Sequence, residues 1–315
     1  MDIISTVQFI TVAPEREGQR LDNFLLSQFA GVPKSRIYRA IRTGEVRVNK
    51  KRVKPEVKVS SGDILRIPPL VIKETMEPIV NDSVIELLQN SILYEDSNII
   101  ALNKPSGIPV HGGTDASFGI IDALRKARPE IKMLELIHRL DKGTSGCLLI
   151  AKKRSALTYF HQLLREGEIV KEYLCLVKGK CRPEQRVALP LKKNTLQSGE
   201  RIVRVDKEGK DAMTDFYLEA SYSSASLLRA RLHTGRTHQI RVHLQAIAHP
   251  VAGDDKYGDK DFNKHMRSYG LRRMFLHAET LKFKCPDSEK EITVFAPLEE
   301  SLQSCLNQLI AKNTN

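Results

Sequence analysis

Long apolar runs are missing from this 315-residue chain. A membrane helix needs roughly 18–20 consecutive apolar residues, whereas stretches such as Cys147 to Ala151 cover only a few positions, so no membrane association is expected. The opening segment Met1 to Ala13 carries Asp2 and no basic residue, unlike a secretory signal; a cytoplasmic location is the expectation. Cysteine is scarce and odd in number. Cys147, Cys175, Cys181, Cys285 and Cys305 form no C-x-x-C pair and sit mostly in apolar segments, so they read as reduced small hydrophobes and neither a disulfide nor a bound metal is expected. Walker-type and G-x-G-x-x-G patterns are absent, which leaves an NTP-driven or dinucleotide enzyme without support. Gly143-Thr144-Ser145-Gly146 misses the G-x-S-x-G nucleophile elbow because Cys147 follows, so a serine hydrolase is not indicated.

What is present is positive charge. Fifty Lys and Arg against 38 Asp and Glu give a formal net charge of +12 and a pI near 9.4, a surface that attracts polyanions. Nucleic acid is the leading partner. With 41% apolar residues, the length suffices for a large core plus a small satellite domain. Two thirds of the excess lies between Arg20 and Arg66, where twelve basic residues face four acidic ones. Within that block Leu21, Phe24, Leu25 and Phe29 recur at helical spacing, and Pro33 opens a second helix that Gly44 can close. At 100° per residue Arg36, Arg39 and Arg42 fall on one side of it and Ile37, Ala40 and Ile41 on the other. A charge stripe is ordinarily a solvated face, but here the following hairpin, Val46 and Val48 turning at Asn49-Lys50-Lys51, repeats the sign.

Pro68 to Asp82 is proline-punctuated and aperiodic, as a linker is. The expected organisation is an N-terminal extension (1–18), a small basic domain (19–68), a linker (69–82) and a catalytic domain (83–315). Beyond the linker, strands (Asn98 to Asn103, Ile169 to Lys178) mix with helices (Ser155 to Glu166, capped by Ser155 and stopped by Gly167; a last one through Leu302, Leu306 and Ile310). The pattern favours an α+β domain with a mixed, largely antiparallel sheet, behind a small N-terminal α/β domain.

The most informative stretch is His138-Arg139-Leu140-Asp141-Lys142-Gly143-Thr144-Ser145-Gly146, between the apolar segments Leu134 to Ile137 and Cys147 to Ala151. A loop held by two buried strands can present Asp141 into a cleft with little positional freedom, which suits a nucleophilic carboxylate. Alone, Asp141 would equally suit a turn cap or a partner for Arg139.

HRLDKGTSG resembles the catalytic segment of the RluA family of RNA pseudouridine synthases, with Asp141 at the catalytic aspartate. Asn103-Lys104-Pro105-Ser106-Gly107, Lys171-Glu172-Tyr173 and Thr234-Gly235-Arg236-Thr237-His238-Gln239-Ile240-Arg241-Val242-His243 follow the same order as further family motifs. RLDNFL, VPKSRIYRAIRTGEVRVN and GDILRI resemble the S4-type RNA-binding domain. Together the details are most similar to the RluC type within the family, which modifies 23S (large-subunit) ribosomal RNA.

Isomerising uridine to pseudouridine breaks C1′–N1 and joins C1′ to C5 with no net redox change and no group donor, so no cofactor is required. It needs a nucleophilic carboxylate, a wall for the detached base, a group for the C5 proton and positive charge beside the carboxylate. Asp141, Tyr173 and Arg241 supply these types. The resemblance implies that Arg241, on a helix expected to be capped by Thr237, pairs with the nucleophile, with Arg236 as a substitute, and that Tyr173 packs on the uracil. Taken singly, Arg241 would suit an ordinary surface position and Tyr173 a half-buried core site. The resemblance also places Lys104-Pro105 at the border of the site, while Ile240 suits the base pocket or the core. A uridine in folded RNA must leave its stack to be reached; the resemblance makes Arg139 the candidate for filling the vacated space or holding the displaced backbone, and a plain phosphate contact suits it equally. Lys34, Arg36, Arg39, Arg42, Lys50 and Lys51 are the RNA contacts expected of the basic domain, and Lys104, Arg139, Arg236 and Ile240 those of the catalytic domain. His233, His238, His243 and His249 miss the i, i+4 spacing of a zinc helix and read as polar structure or RNA contacts. The expected molecule is a monomer acting on large-subunit ribosomal RNA. Two other readings stay open: a noncatalytic RNA-binding ribosome-assembly factor, and a glycoside hydrolase with a second acid at catalytic distance.

Overall fold

The computed structural model describes residues 3–4, 6–29, 31–72, 80–112, 117–195, 201–288 and 290–313. The chain divides into two compact units, Met1–Ile79 and Val80–Asn315.

In the first unit, helices Leu21–Gln28 and Lys34–Arg42 pack on a three-stranded antiparallel sheet of Gln8–Thr11, Ile64–Ile67 and Arg47–Val48. The second helix buries Ile37, Ala40 and Ile41, the face its periodicity assigns to the core. Pro33 stands at its N-cap, one place before the helix, and Gly44, at φ +75°, ends it in the left-handed conformation that costs glycine least. Arg47–Val48 turns back through Asn49 (φ 48°) and Lys50 (φ 67°), with Val48 and Lys51 exchanging both backbone hydrogen bonds. Two successive positive φ values make a type I′ turn, whose twist matches an antiparallel hairpin. The strand that continues the sheet is Ile64–Ile67, while the intervening valines form no long strand. Gln8–Thr11 pairs with it (Phe9 opposite Arg66), and Val12 is buried in this unit's core, so part of the stretch read as an extension is built into the basic domain. Of the linker, Val71–Ile72 pairs with Ile3–Ile4; residues 73–79 lie outside the described residues.

The second unit is built on a ten-stranded sheet. Among the described residues its neighbours pair antiparallel, with one exception: Leu276–Lys284 meets Ser145–Ala151 in a parallel ladder of two residue pairs, His277 with Ser145 and Ala278 with Gly146. That ladder joins two halves of the sheet. One half carries Ile99–Lys104 beside Ser145–Ala151; the other carries Val170–Lys178 between Leu276–Lys284 and Ala225–Leu232. Ser145–Ala151 is buried along its whole length because both faces are covered, which explains its unbroken apolar run. On one face, helix Arg154–Glu166 packs Ala156, Leu157, Phe160 and Leu163 on Cys147 and Leu149; on the other, helix Ile120–Ala127 packs on Leu148 and Ile150. Glu300–Asn313 and Lys260–Arg267 cover Leu174 and Leu176. Two sequence-level caps are corrected. Arg154–Glu166 starts after Lys153 rather than Ser155, and Gln239–Ala246 starts after His238 rather than Thr237, because His238 itself leaves the helix at φ 56°.

Candidate active site

Asp141 lies on the loop between the short strand Glu135–Leu136 and Ser145–Ala151. The loop closes on itself, with Thr144 N donating to Asp141 O at 3.1 Å, and is braced from Ile99–Lys104 and the turn after it. Gly107 N donates to Lys142 O (2.8 Å), Ser106 Oγ to Gly143 O (3.0 Å), and Lys104 Nζ to the carbonyls of Pro105, Ile108 and Lys142 (2.8, 2.8 and 3.3 Å).

Lys104 is 0% exposed, and this corrects its place among the RNA contacts. Its ammonium is spent on the carbonyls of Pro105, Ile108 and Lys142. Burial pushes its pKa down to about 7, while three carbonyl acceptors suit the three donors of the charged form.

Gly146 stands where the two sheet halves meet. At φ +108° a Cβ there would lie 2.1 Å from Ala278 O, so only glycine allows the contact. Ala278 also pairs with Tyr173, directly after a register shift at Glu172/Tyr173. Leu276–Lys284 thus links the strand that follows the Asp141 loop to the strand that carries Tyr173. Beside it, Arg273 donates to Ser145 Oγ (2.8 Å), Ser145 donates to His277 Nδ1 (2.9 Å), and His277 Nε2 donates to Ala296 O (3.0 Å). Burial holds the His277 pKa down, which favours the neutral ring and this direction of the bonds.

Arg241 comes from the Gln239–Ala246 helix. Its NH1 donates to Asp141 Oδ2 at 3.0 Å, while Nε and NH2 grip both oxygens of Asp254 at 2.7 and 2.8 Å. Asp254 also accepts the backbone N–H groups of Lys256 and Tyr257, and the guanidinium lies over the Tyr257 ring. Burial works against the charge on Arg241, but the two carboxylates outweigh it and hold its pKa above the usual value. Burial likewise opposes ionisation of Asp254, yet Arg241 and the two amides keep its carboxyl below the usual range. His238 stands 3.8 Å from Asp141 Oδ2 and accepts or donates a bond at Tyr257 Oη (2.8 Å); burial lowers its pKa.

Gln239 and His243 of the Thr234 to His243 motif are scaffold. Gln239 accepts from Thr234 Oγ1 and Arg236 N and donates to Met213 O and Thr214 Oγ1. His243 is buried between Thr214 and the Leu189 carbonyl, and its pKa is lowered by burial.

Asp141, Tyr173, Ile240 and Arg241 line one small cavity of about 70 Å³, with Arg139 and Arg236 at its walls. Tyr173 is only 7% exposed; burial first, then the charge of Asp141, raises its phenol pKa well above the usual value, so the ring enters as a neutral wall. Arg236 is exposed and donates to Asp211 O at 3.0 Å. The ion pair with Asp141 belongs to Arg241, not to Arg236. A broader depression of about 870 Å³ opens on the same carboxylate and adds Lys142, Arg272 and Arg273 to Arg139, with Asp254 and Asp255 also in its lining.

In the first unit Lys34, Arg39, Arg42, Lys50 and Lys51 are exposed, whereas Arg36 pairs with Glu45 at 2.7 Å. Sequence reasoning missed Asp254 and Tyr257, and it left His238 in an undifferentiated histidine series.

These features define the class. Residues 98–246 match the family described as RNA pseudouridylate synthase, residues 19–65 match the S4 domain, and the chain belongs to the RNA pseudouridylate synthase family. It is 51% identical over 312 residues to the "Ribosomal large subunit pseudouridine synthase C" of Salmonella typhi, covering 98% of each chain. The protein of that name from Haemophilus influenzae is 50% identical over 310 residues, 98% of this chain and 96% of the other. Among solved structures, "Human RNA Pseudouridylate Synthase Domain Containing 4" superposes with a TM-score of 0.61 at 26% identity, over 72% of this chain and 96% of its own.

Proposed function

We propose that this protein isomerises specific uridines to pseudouridine in large-subunit ribosomal RNA, with Asp141 as nucleophile, acting as a monomer in the cytoplasm without a cofactor. The observation that carries the reading is the Asp141–Arg241 ion pair of 3.0 Å facing a cavity walled by Tyr173. The names of the relatives supply the substrate, and among the described residues no helix is long and apolar enough to cross a membrane.

The target uridine leaves its stack, with Arg139 filling the vacated space or holding the displaced backbone. Asp141 engages the nucleoside as C1′–N1 opens; the uracil turns against Tyr173 and Ile240, C1′ bonds to C5, C5 gives up its proton and N1 carries one. Atoms and electrons balance with no donor. Arg241 keeps a positive charge at the carboxylate throughout, and Lys104 is a positioning residue beneath the loop. We assign RNA backbone contacts to Lys34, Arg39, Arg42, Lys50 and Lys51, with Arg36 partly neutralised by Glu45, and to Arg236 at the cavity rim. The RNA-binding unit read at 19–68 extends upstream to the Gln8–Thr11 strand and downstream to the buried Leu70, and the catalytic unit read at 83–315 begins at Val80.

A glycoside hydrolase would need a second carboxyl able to give up a proton. Asp254, joined to Asp141 through Arg241, is held ionised and fully bonded, so it does not fill that role. The test is Asp141→Asn: pseudouridine formation is abolished while RNA affinity stays within about twofold, since the carboxylate makes no phosphate contact. Normal product from the purified variant refutes the assignment.

A further inference from the structure

The three-stranded sheet of the first unit has two faces. Leu65, Ile67 and Val48 point inward to the helices; the other face presents Phe9, Ile64, Arg66 and Arg47. Phe9 is 68% exposed and Ile64 50%. In register, Phe9 stands opposite Arg66, and Arg66 opposite Arg47, so a ring and two guanidiniums form one row across three strands. With Asn49 and Lys50 of the hairpin turn they line a concavity of about 680 Å³.

The charges on this face are held but not cancelled. Arg66 NH1 donates to Glu45 O (2.7 Å) and Arg47 Nε to Gly44 O (3.3 Å); both acceptors are neutral carbonyls, so each arginine is oriented and keeps its full charge. The nearby acids are engaged elsewhere. The Glu45 carboxylate takes Arg36 and Thr43, and Asp63 takes Asn49 and Ser60 N. An exposed aromatic ring within a row of uncancelled cations disfavours a basic partner. It fits a polymer with a flat base on one side and phosphates on the other.

We propose that this sheet face binds an unpaired stretch of RNA, one base stacked on Phe9 and its flanking phosphates on Arg47, Arg66 and Lys50. The site lies on the side of the sheet away from the two helices, and Phe9 and Arg66 both fall outside the matched S4 segment of residues 19–65. A duplex does not fit, because its bases are already stacked on one another and unavailable to Phe9. The site rests on the RNA-modifying reading only for its choice of polymer, and would give the enzyme a hold on a single-stranded flank of its target.

The chain has no tryptophan, so Phe9→Trp in the full-length protein provides a single reporter. Titration with an unstructured oligouridylate is expected to quench its emission to a plateau. Phe9→Ala, at an exposed position that leaves folding intact, is expected to weaken oligouridylate binding about 5- to 150-fold, the range for losing one base–aromatic stack; Phe9→Leu, apolar but without a π-face, should lose nearly as much. Emission unchanged at saturating RNA, equal affinity of Phe9→Ala and the parent, or equal quenching by a fully paired RNA each overturns the proposal. So does a blue-shifted emission in the free protein that RNA leaves unaltered, which would mean that protein covers the face. Asp141→Asn bears on the catalytic reading alone, so the two failures are told apart.

Discussion

Asp254→Asn keeps the shape of the side chain but removes its charge and turns one acceptor into a donor. The native carboxylate is fully occupied, with two bonds from Arg241 and two from backbone amides, so the new amide group must face one of these donors. A hydrogen bond to a charged group is worth about 1.5–3 kcal/mol, and breaking a buried ion pair costs about 3–5 kcal/mol. With the asparagine oxygen retaining part of the set, about 3 kcal/mol of stability should be lost. The larger effect is on aim. Arg241 loses the fork that fixes it and can swing toward Asp141, and a displacement of about 1 Å near reacting atoms costs on the order of 100-fold in rate. We expect kcat to fall about 100-fold with KM within about threefold, since Asp254 serves the geometry of the nucleophile and not RNA affinity. Release of tritium from RNA carrying C5-tritiated uridine, followed under single-turnover conditions, measures the step; thermal unfolding of the same preparation measures the fold. A folded variant that turns over within about threefold of the parent, or one whose loss lies wholly in KM, refutes the positioning role.

Gly146→Ala should destabilise the protein by about 2–5 kcal/mol, combining overpacking against Ala278 O with a positive φ, and an unchanged melting temperature would contradict the close contact at the sheet junction. Lys104 has its pKa lowered from 10.5 to about 7, so between those values the folded state holds fewer protons than the unfolded chain and stability from this group rises with pH. Lys104→Met should flatten that rise in urea titrations spanning about pH 7 to 10, and an identical pH slope in both proteins would exclude the linkage. Charge reversal of Arg39 and Arg42 should weaken RNA binding and reduce the salt slope of log Kd by about 0.7–0.9 per lost phosphate contact; unaltered slopes would remove the two residues from the interface.

Much of the site was legible because its residue types are chemically specific and lie in compact motifs. Asp141, Tyr173, Ile240 and Arg241 do meet at one cavity, and the inward face of Lys34–Arg42 follows its helical period. Asp254 was not legible. Its partner lies thirteen positions away in a different element, and a lone aspartate in a loop has no periodicity to mark it. Lys104 left a trace that went unread: in Ile99–Lys104 it shares a face with the buried Ile100 and Leu102, and strand alternation alone points it into the core. Gln8–Thr11 was read only as part of an extension: its Phe9 looks outward and Ile10 inward, so the larger hydrophobe lies on the open side and the alternation does not mark a core-facing strand.

The two-pair parallel seam between the sheet halves has a consequence for engineering. The aspartate rides on one half, and the tyrosine that walls its cavity on the other. Transplanting the HRLDKGTSG loop into a foreign scaffold would carry over the acid without its companions. The smallest portable unit of this chemistry is therefore the stitched pair of half-sheets, not the motif.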